Sequence, residues 1–188
     1  GEEFEPDGSM PRLRVSVDVS DGGEDKSVLT VVQHLQSKRL LLKQKSYSWA
    51  AGTSATTGAD EIERVFAQFG GVKGQDEIII DSLGVGAGLY GVMVVRGHRV
   101  IRYVGGSASA DVKQWRNRRV QSYMVLRNEL RDGLLVIAPN AIDADDVIKE
   151  DDDFSDPWDE FDAQLCSIRK NPNTDRVEDL VTKEQMKQ

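Results

Sequence analysis

Two aspartates end predicted buried strands in this chain of 188 residues. Asp18 closes the alternating run LRVSVD, and Asp81 closes the short apolar run DEIIID. Open α/β sheets place ligand-binding groups at the carboxyl ends of their strands. If the two strands are neighbours, the carboxylates face each other, and a divalent cation such as Mg²⁺ or Mn²⁺ would offset their repulsion. The alternative is that each aspartate caps a loop or a helix N-terminus.

A glycine-rich segment follows Asp81 directly. Gly84, Gly86 and Gly88 permit close backbone approach, but their spacing matches neither the P-loop nor the complete dinucleotide-binding fingerprint. The motif GxxxxGK[ST] does not occur in the chain, which excludes ATP hydrolysis by a P-loop within it. We interpret the segment as tight packing between a strand and the following helix, beside the second aspartate.

Charge is distributed unevenly along the chain. The 24 Lys and Arg residues are outnumbered by 32 Asp and Glu, and a net charge of −8 by itself disfavours a nucleic-acid ligand. However, eleven acids lie in 143–162, whereas 96–131 holds nine bases and two acids, a formal charge of +7. The basic stretch predicts a surface that faces a polyanion. Four of its cations flank Trp115 and could either hold phosphates or form a solvated helix face: Lys113, Arg116, Arg118 and Arg119.

Other reactive side chains give weaker signals. His34 and His98 fall in predicted strands, where a packed histidine is commoner than a catalytic base. Cys166 is the single cysteine, which excludes an internal disulfide and suits a reducing compartment. No apolar run approaches the ~20 residues that cross a bilayer, so no membrane partner is expected.

The periodicity predicts an α/β domain with the order β-β-β-α-β-α-β-α, followed by further pieces. Strands are predicted over 13–18, 27–35, 39–47, 76–81, 98–104 and 134–137. Helices are predicted over 56–69 with Thr57 as its cap, up to residue 95 after the glycines, and over 111–131. This order predicts a mixed sheet of five strands, or slightly more, with the first three antiparallel and helices on both faces.

The remaining segments complete the predicted organisation. The helix over 111–131 is expected to bury an apolar stripe formed by Val112, Trp115, Tyr123, Leu126 and Leu130. The acidic segment 143–162 is interpreted as a solvated loop that runs into a helix over about 157–169, before a hairpin around 171–181. Residues 1–10, with four acids and no base, are interpreted as a tag or linker, and 11–188 as a single domain.

Taken together, these segments resemble the nuclease domain of the large terminase subunit of tailed bacteriophages. The strongest similarity lies in VSVDVSDGG around Asp18 and in DSLGVGAG from Asp81, supported by NRRVQSY, WDEFDAQLCSIR and the terminal KEQMK. The resemblance spans most of the chain after Met10. It implies an RNase H-like nuclease domain over 11–188 and an endonuclease that cuts concatemeric double-stranded DNA at the start and end of genome packaging.

The resemblance also implies site residues and a cofactor. Asp18 and Asp81 would be catalytic metal ligands, Asp18 would bridge two Mg²⁺ or Mn²⁺ ions, and Asp25 would assist through a water. Two such ions would activate a water and stabilise the leaving 3′ oxygen. The family's third carboxylate follows a Lys-containing motif like that at 183–186, so it is expected beyond Gln188, with Asp162 as a substitute.

The implied partners are double-stranded DNA, held by the four cations around Trp115, an upstream ATPase domain, the small terminase subunit and the portal or procapsid. The implied location is the cytoplasm of the infected bacterial host. Two alternatives stay open, because a fold and a pair of acids do not define a substrate. One is another RNase H-like nuclease, such as a Holliday-junction resolvase or a transposase core. The other is a non-catalytic module that docks DNA or a capsid-side partner.

Overall fold

A computed structural model describes residues 12–20, 27–35, 37–47 and 54–142. They form, in chain order, β1 (Leu13–Asp18), β2 (Ser27–Leu35), β3 (Lys38–Tyr47), α1 (Ala55–Gln68), β4 (Glu77–Asp81), α2 (Gly86–Val95), β5 (Arg99–Tyr103), α3 (Arg118–Arg131) and β6 (Leu135–Ile137). The chain divides into two compact units. The first takes in the described residues up to Tyr103 together with 132–142, and the second takes in 104–131.

The described strands form one mixed sheet in the order β5-β4-β1-β2-β3-β6. β1, β2 and β3 are successive antiparallel neighbours, as predicted. β4 pairs parallel with β1, β5 pairs parallel with β4, and β6 pairs parallel with β3. The predicted α/β architecture is therefore confirmed, with six strands in the described part of the chain.

Alternation along the strands creates the core on one face of this sheet. The residues of β1, β2 and β4 that face the core are all buried: Leu13, Val15, Val17, Leu29, Val31, Ile78 and Ile80. α1 contributes Ile62, Val65 and Phe66 at helical spacing, and α2 contributes Leu89 and Met93. Helices α1 and α2 therefore share one face of the sheet. A helix on the opposite face stays a prediction.

Helix α1 corrects the predicted cap. Ser54, and not Thr57, is the N-cap, because its Oγ accepts the backbone N–H of Thr57 at 3.2 Å. The helix ends at Gln68, and Gly70 then adopts a φ of 74°, a conformation that glycine reaches without strain. The chain thus turns sharply away from the helix before it enters β4.

Helix α3 is shorter than predicted, because the residues before Arg118 form turns. The Asp111 carboxylate accepts the N–H groups of Lys113 and Gln114, and Asn117 Oδ1 accepts that of Val120 at 3.0 Å. Such short polar side chains satisfy backbone donors outside a helix and favour turns and caps over helix interiors.

The predicted apolar stripe of this helix is wrong in part, although Trp115, Leu126 and Leu130 are half-buried. Val112 lies in the preceding turns and is 61% exposed, and Tyr123 is exposed. The buried side chains of α3 are Val120 and Met124, four residues apart on one face.

The other predicted bounds agree with the structure to within one residue. The segments 1–10 and 143–188, with the predicted acidic loop, the later helix, the hairpin and Cys166, lie outside the described residues. The single domain over 11–188 stays a prediction. In the described ranges, no helix is both long and apolar enough to cross a bilayer.

Candidate functional site

The two strand-end aspartates lie side by side. β1 and β4 are parallel neighbours in which Val17 is the register partner of Ile80, and Asp18 and Asp81 are the next residue in each strand. Since Val17 and Ile80 point into the core, alternation directs both aspartate side chains to the opposite face of the sheet. Asp18 is exposed and Asp81 is half-buried. The sheet therefore brings two carboxylates together at the carboxyl ends of neighbouring strands and on the same face.

The glycine-rich segment after Asp81 allows α2 to begin directly against the strand end. A Cβ atom on Gly86 would lie 1.8 Å from the carbonyl oxygen of Asp81, so no larger residue fits there without a backbone shift. Gly84 has a φ of 58°, which favours glycine. Leu83 donates its N–H to Asp81 Oδ1 at 3.3 Å. The interpretation of this segment as close strand-to-helix packing is confirmed for Gly86.

At the opposite, amino end of β4, a buried carboxylate links this strand to the two strands beside it. Glu77 is 2% exposed and lies between its register partners Arg14 on β1 and Arg99 on β5. Arg14 Nε donates to Glu77 Oε2 at 2.7 Å, and Arg99 Nη2 lies 2.8 Å from Glu77 Oε1. Sequence reasoning missed this cluster, although a charged residue at the start of a buried apolar run was a signal for it.

Asp76 adds a second tether at the same end of β4. It is buried, and its two carboxylate oxygens accept the N–H groups of Leu13 and Val72, each at 2.8 Å. Asp76 precedes β4, and its carboxylate binds the backbone of β1 and of the α1–β4 loop. Together with Glu77, it connects β4 to β1 at their amino ends, in the register that makes Asp18 and Asp81 the residues after the pair of Val17 with Ile80.

Both histidines are packed, as the sequence indicated. Burial, with Arg14 and Arg39 nearby, lowers the pKa of His34 to about 4, so this side chain is neutral at pH 7. His98 lies just before β5, with its Nε2 2.7 Å from Glu63 Oε1. The hydrogen bond from His98 lowers the pKa of the Glu63 carboxyl, with the Arg96 guanidinium contributing.

Two carboxylates, those of Asp18 and Asp81, end adjacent strands in residues 12–20, 27–35, 37–47 and 54–142. These ranges contain no group of three or more His, Cys, Asp or Glu side chains arranged to hold a metal ion. The donor chemistry of Asp18 and Asp81 fits Mg²⁺ or Mn²⁺, because these hard cations prefer carboxylate oxygens. Asp25 and Asp162 lie outside the described residues, and their roles stay predictions.

The four predicted phosphate-binding cations all lie in the second unit. Lys113 and Arg116 are in the turns before α3, which corrects their predicted place on a helix start, while Arg118 and Arg119 are its first two residues. Arg118 and Arg119 donate backbone N–H groups to the carbonyls of Ser107 and Gly105, each at 2.9 Å. Both side chains are exposed. Cations at the positive end of a helix dipole attract an anion to that end.

The mixed sheet defines an RNase H-like fold, as the resemblance implied. The chain is similar to the nuclease domain of the large terminase subunit gp2 of bacterial virus Sf6, with a TM-score of 0.65 and 19% identity over 95% of this chain and 80% of that chain. A mutant of that domain with manganese and beta-thujaplicinol gives a TM-score of 0.65 and 20% identity over 96% of this chain and 81% of that one.

A longer protein shares the fold. The large terminase from a thermophilic bacteriophage matches with a TM-score of 0.59 and 10% identity, over 100% of this chain and 37% of its own length. These neighbours belong to the family that the sequence resembles. By sequence, no protein-family description matches the chain, and no curated protein matches it. The comparisons therefore establish the fold.

Replacing Glu77 with Gln tests the cluster that Glu77 forms with Arg14 and Arg99. We expect the free energy of unfolding to fall by about 2 to 3 kcal/mol, because two arginines are left without their buried counter-charge. The loss is below that of a fully buried pair because Arg99 is 53% exposed. Urea denaturation measures it. The control Glu61→Gln removes an exposed ion pair with Arg64 and should cost under about 1 kcal/mol. Equal losses in both variants would contradict a special role for Glu77.

Replacing Gly86 with Ala tests the contact between α2 and the strand end. We expect a destabilisation of roughly 2 kcal/mol or more in thermal unfolding, because the new methyl group overlaps the Asp81 carbonyl. Gly91 is a matched control in the same helix, since a Cβ there meets no atom within 4 Å. Gly91→Ala should be neutral or stabilising by up to about 1 kcal/mol. A harmless Gly86→Ala substitution would show that this contact does not constrain the site.

Proposed function

We propose that this chain is a metal-dependent endonuclease domain of a viral DNA-packaging terminase, and that it cuts concatemeric double-stranded DNA. One observation carries the proposal: Asp18 and Asp81 end adjacent parallel strands in register and project from the same face. The fold shared with terminase nuclease domains supports it. The two carboxylates supply the metal-binding groups, which a fold alone does not define.

Asp18 and Asp81 would hold Mg²⁺ or Mn²⁺, two ions in the proposed enzyme. Neighbouring carboxylates repel each other, and a divalent cation removes that repulsion, so the pair favours metal binding. Leu83 restrains the Asp81 carboxylate through its N–H group. When bound, the ions supply Lewis acidity toward the scissile phosphodiester. The manganese in the Sf6 mutant structure supports dependence on a divalent ion.

The rest of the proposed site includes residues outside the described ranges. Asp25 would assist Asp18 through a water, and a third carboxylate, for which Asp162 is the candidate within this sequence, would complete the ligand set. Such a third ligand would add to the pair that Asp18 and Asp81 form at the ends of adjacent strands.

DNA would be held through its phosphates by Lys113, Arg116, Arg118 and Arg119. The exposed arginine side chains at the start of α3 and the positive end of its dipole support this role. Contacts of this kind give little sequence preference and a strong dependence on salt.

The proposed partners are inferred from the similarity in fold to large terminases. This chain matches 37% of the large terminase from the thermophilic bacteriophage, and structures of that terminase are known with ADP and with ATP-gamma-S. These findings support an ATPase domain as a partner of the nuclease. The small terminase subunit, the portal or procapsid, and action in the cytoplasm of the infected bacterial host complete the proposal.

Plasmid nicking and linearisation in Mn²⁺, Mg²⁺ or EDTA tests the activity. We expect cutting that requires metal and falls on the order of 100-fold or more in Asp18→Asn and in Asp81→Asn, because each removes a metal ligand. Mn²⁺ should also raise the melting temperature of the unmodified protein but not of these variants. Asp60→Asn, which removes an exposed carboxylate paired with Arg96, is the control and should cut normally.

Cutting that survives in EDTA or in Asp18→Asn would contradict this proposal. Branched DNA cut much faster than linear DNA would favour a resolvase instead. If Asp18→Asn altered neither metal binding nor cleavage while Arg118→Ala weakened DNA binding, the chain would be a docking module.

Substitution of Arg118 with Ala tests the DNA surface. We expect binding to double-stranded DNA to weaken, and the slope of log K against log salt to become shallower by about 1, because one phosphate contact is lost. Fluorescence anisotropy over a salt series measures both quantities. Arg64→Ala, in which an exposed arginine of α1 is removed, should leave the slope unchanged. A flat salt response of the unmodified protein would rule out a phosphate-binding surface.

A further inference from the structure

Two serines among the described residues of the first unit are almost completely buried. Each lies in, or beside, the segment that follows one of the two aspartates. Ser27 is 1% exposed and Ser82 is 2% exposed. Ser82 follows Asp81 directly, and Ser27 begins β2 next to Val28, the register partner of Asp18. Burying a hydroxyl is costly unless it forms hydrogen bonds, so these two positions call for an explanation.

The hydrogen bonds of Ser82 extend the pairing of β4 and β5 past the aspartate. Its backbone N–H and its Oγ both donate to the carbonyl oxygen of Tyr103, each at 3.1 Å. Tyr103 is itself the register partner of Asp81. Arg102 Nε donates to the same hydroxyl oxygen at 2.7 Å, so the hydroxyl acts as donor and acceptor at once. The backbone just after Asp81 is therefore held against β5 and cannot fray freely.

Ser27 forms a corresponding connection at the other aspartate. The N–H of Ser20, two residues after Asp18, donates to Ser27 Oγ at 3.1 Å, and the two hydroxyl oxygens lie 3.3 Å apart. This connection continues the contact of β1 with β2 beyond the last register pair, Asp18 with Val28. Each aspartate is thus the last residue of its strand, yet the chain after it is fixed by a buried serine.

We infer that Ser27 and Ser82 are positioning residues that hold Asp18 and Asp81 in place for a shared divalent cation. The inference rests on the proposed function, because it concerns metal binding by this pair. Strand ends fray, and a carboxylate on a fraying residue must be ordered when it binds an ion. The hydrogen bonds of the two serines order these strand ends when the protein folds, before an ion binds. Residues that hydrogen-bond to metal ligands typically contribute 10- to 100-fold to metal affinity, and the two serines, which act through the neighbouring backbone, are expected at the lower end of that range.

Titration of Mn²⁺ into Ser27→Ala and Ser82→Ala by calorimetry tests the inference. We expect the affinity to fall by about 10-fold in each variant. The cleavage rate should recover at saturating Mn²⁺, because the ligands themselves remain. Ser109→Ala is the matched control: Ser109 is 7% exposed, donates its hydroxyl to the carbonyl of Trp115 at 2.7 Å, and belongs to the second unit. Its loss should lower the melting temperature to a similar extent and leave Mn²⁺ affinity unchanged.

Equal Mn²⁺ affinity in the two variants and the unmodified protein would overturn the inference, as would an equal loss in Ser109→Ala. Asp18→Asn separates this failure from that of the proposed function. If that variant loses Mn²⁺ binding while the serine variants keep it, only the inference fails. If Asp18→Asn binds Mn²⁺ normally, the proposed function fails first.

A second measurement uses the unmodified protein, in case an alanine variant does not fold. Amide hydrogen exchange at Ser20, Ser82 and Leu83 should slow further when Mg²⁺ is added, because ion binding and these hydrogen bonds stabilise the same conformation. The amide of Trp115, in the second unit, should be unaffected. Unchanged exchange at all three amides after Mg²⁺ addition would contradict the inference.

Discussion

The parallel, in-register pairing of β1 with β4 is the constraint on which the candidate site depends. Successive strand residues point to opposite faces, so a slip of one residue would send one aspartate into the core and leave the other outside. The observed register, Val17 with Ile80, puts Asp18 and Asp81 side by side at the carboxyl ends of their strands and on the same face. Only this pairing brings the two separate sequence motifs together.

The protein secures that pairing at the amino end of β4, and at the carboxyl end it holds each of the two strands against its other neighbour. At the amino end of β4, Glu77 lies between Arg14 and Arg99, and Asp76 accepts a backbone N–H from β1. At the carboxyl end, a buried serine holds the chain beyond each aspartate, and Gly86 lets α2 begin against the Asp81 carbonyl. Buried ionic and polar contacts contribute little net stability when complete but are costly when broken, which suits them to defining a register.

The sequence predicted what depends on local pattern. Alternation located β1 and β2 to the residue, and the glycines marked the close approach after Asp81. The prediction failed where side chains compete for backbone donors: Asp111 accepts N–H groups in a turn, and Asn117 accepts the N–H of Val120 just before α3 begins at Arg118. The ion pair of Arg14 with Glu77 joins residues 63 positions apart, and no periodicity reports a partner at that distance. Likewise, the sequence could not show that the two aspartates are neighbours, because this depends on the order of the strands in the sheet.

Metal sharing by Asp18 and Asp81 is the property on which the proposed activity rests, and anomalous diffraction from crystals soaked in Mn²⁺ can observe it. We expect a manganese peak within roughly 2.0–2.3 Å of a carboxylate oxygen of each aspartate. The peak should disappear in Asp81→Asn crystals soaked in the same way. A peak bound by only one of the two carboxylates, or manganese found only elsewhere on the protein, would contradict a shared ion.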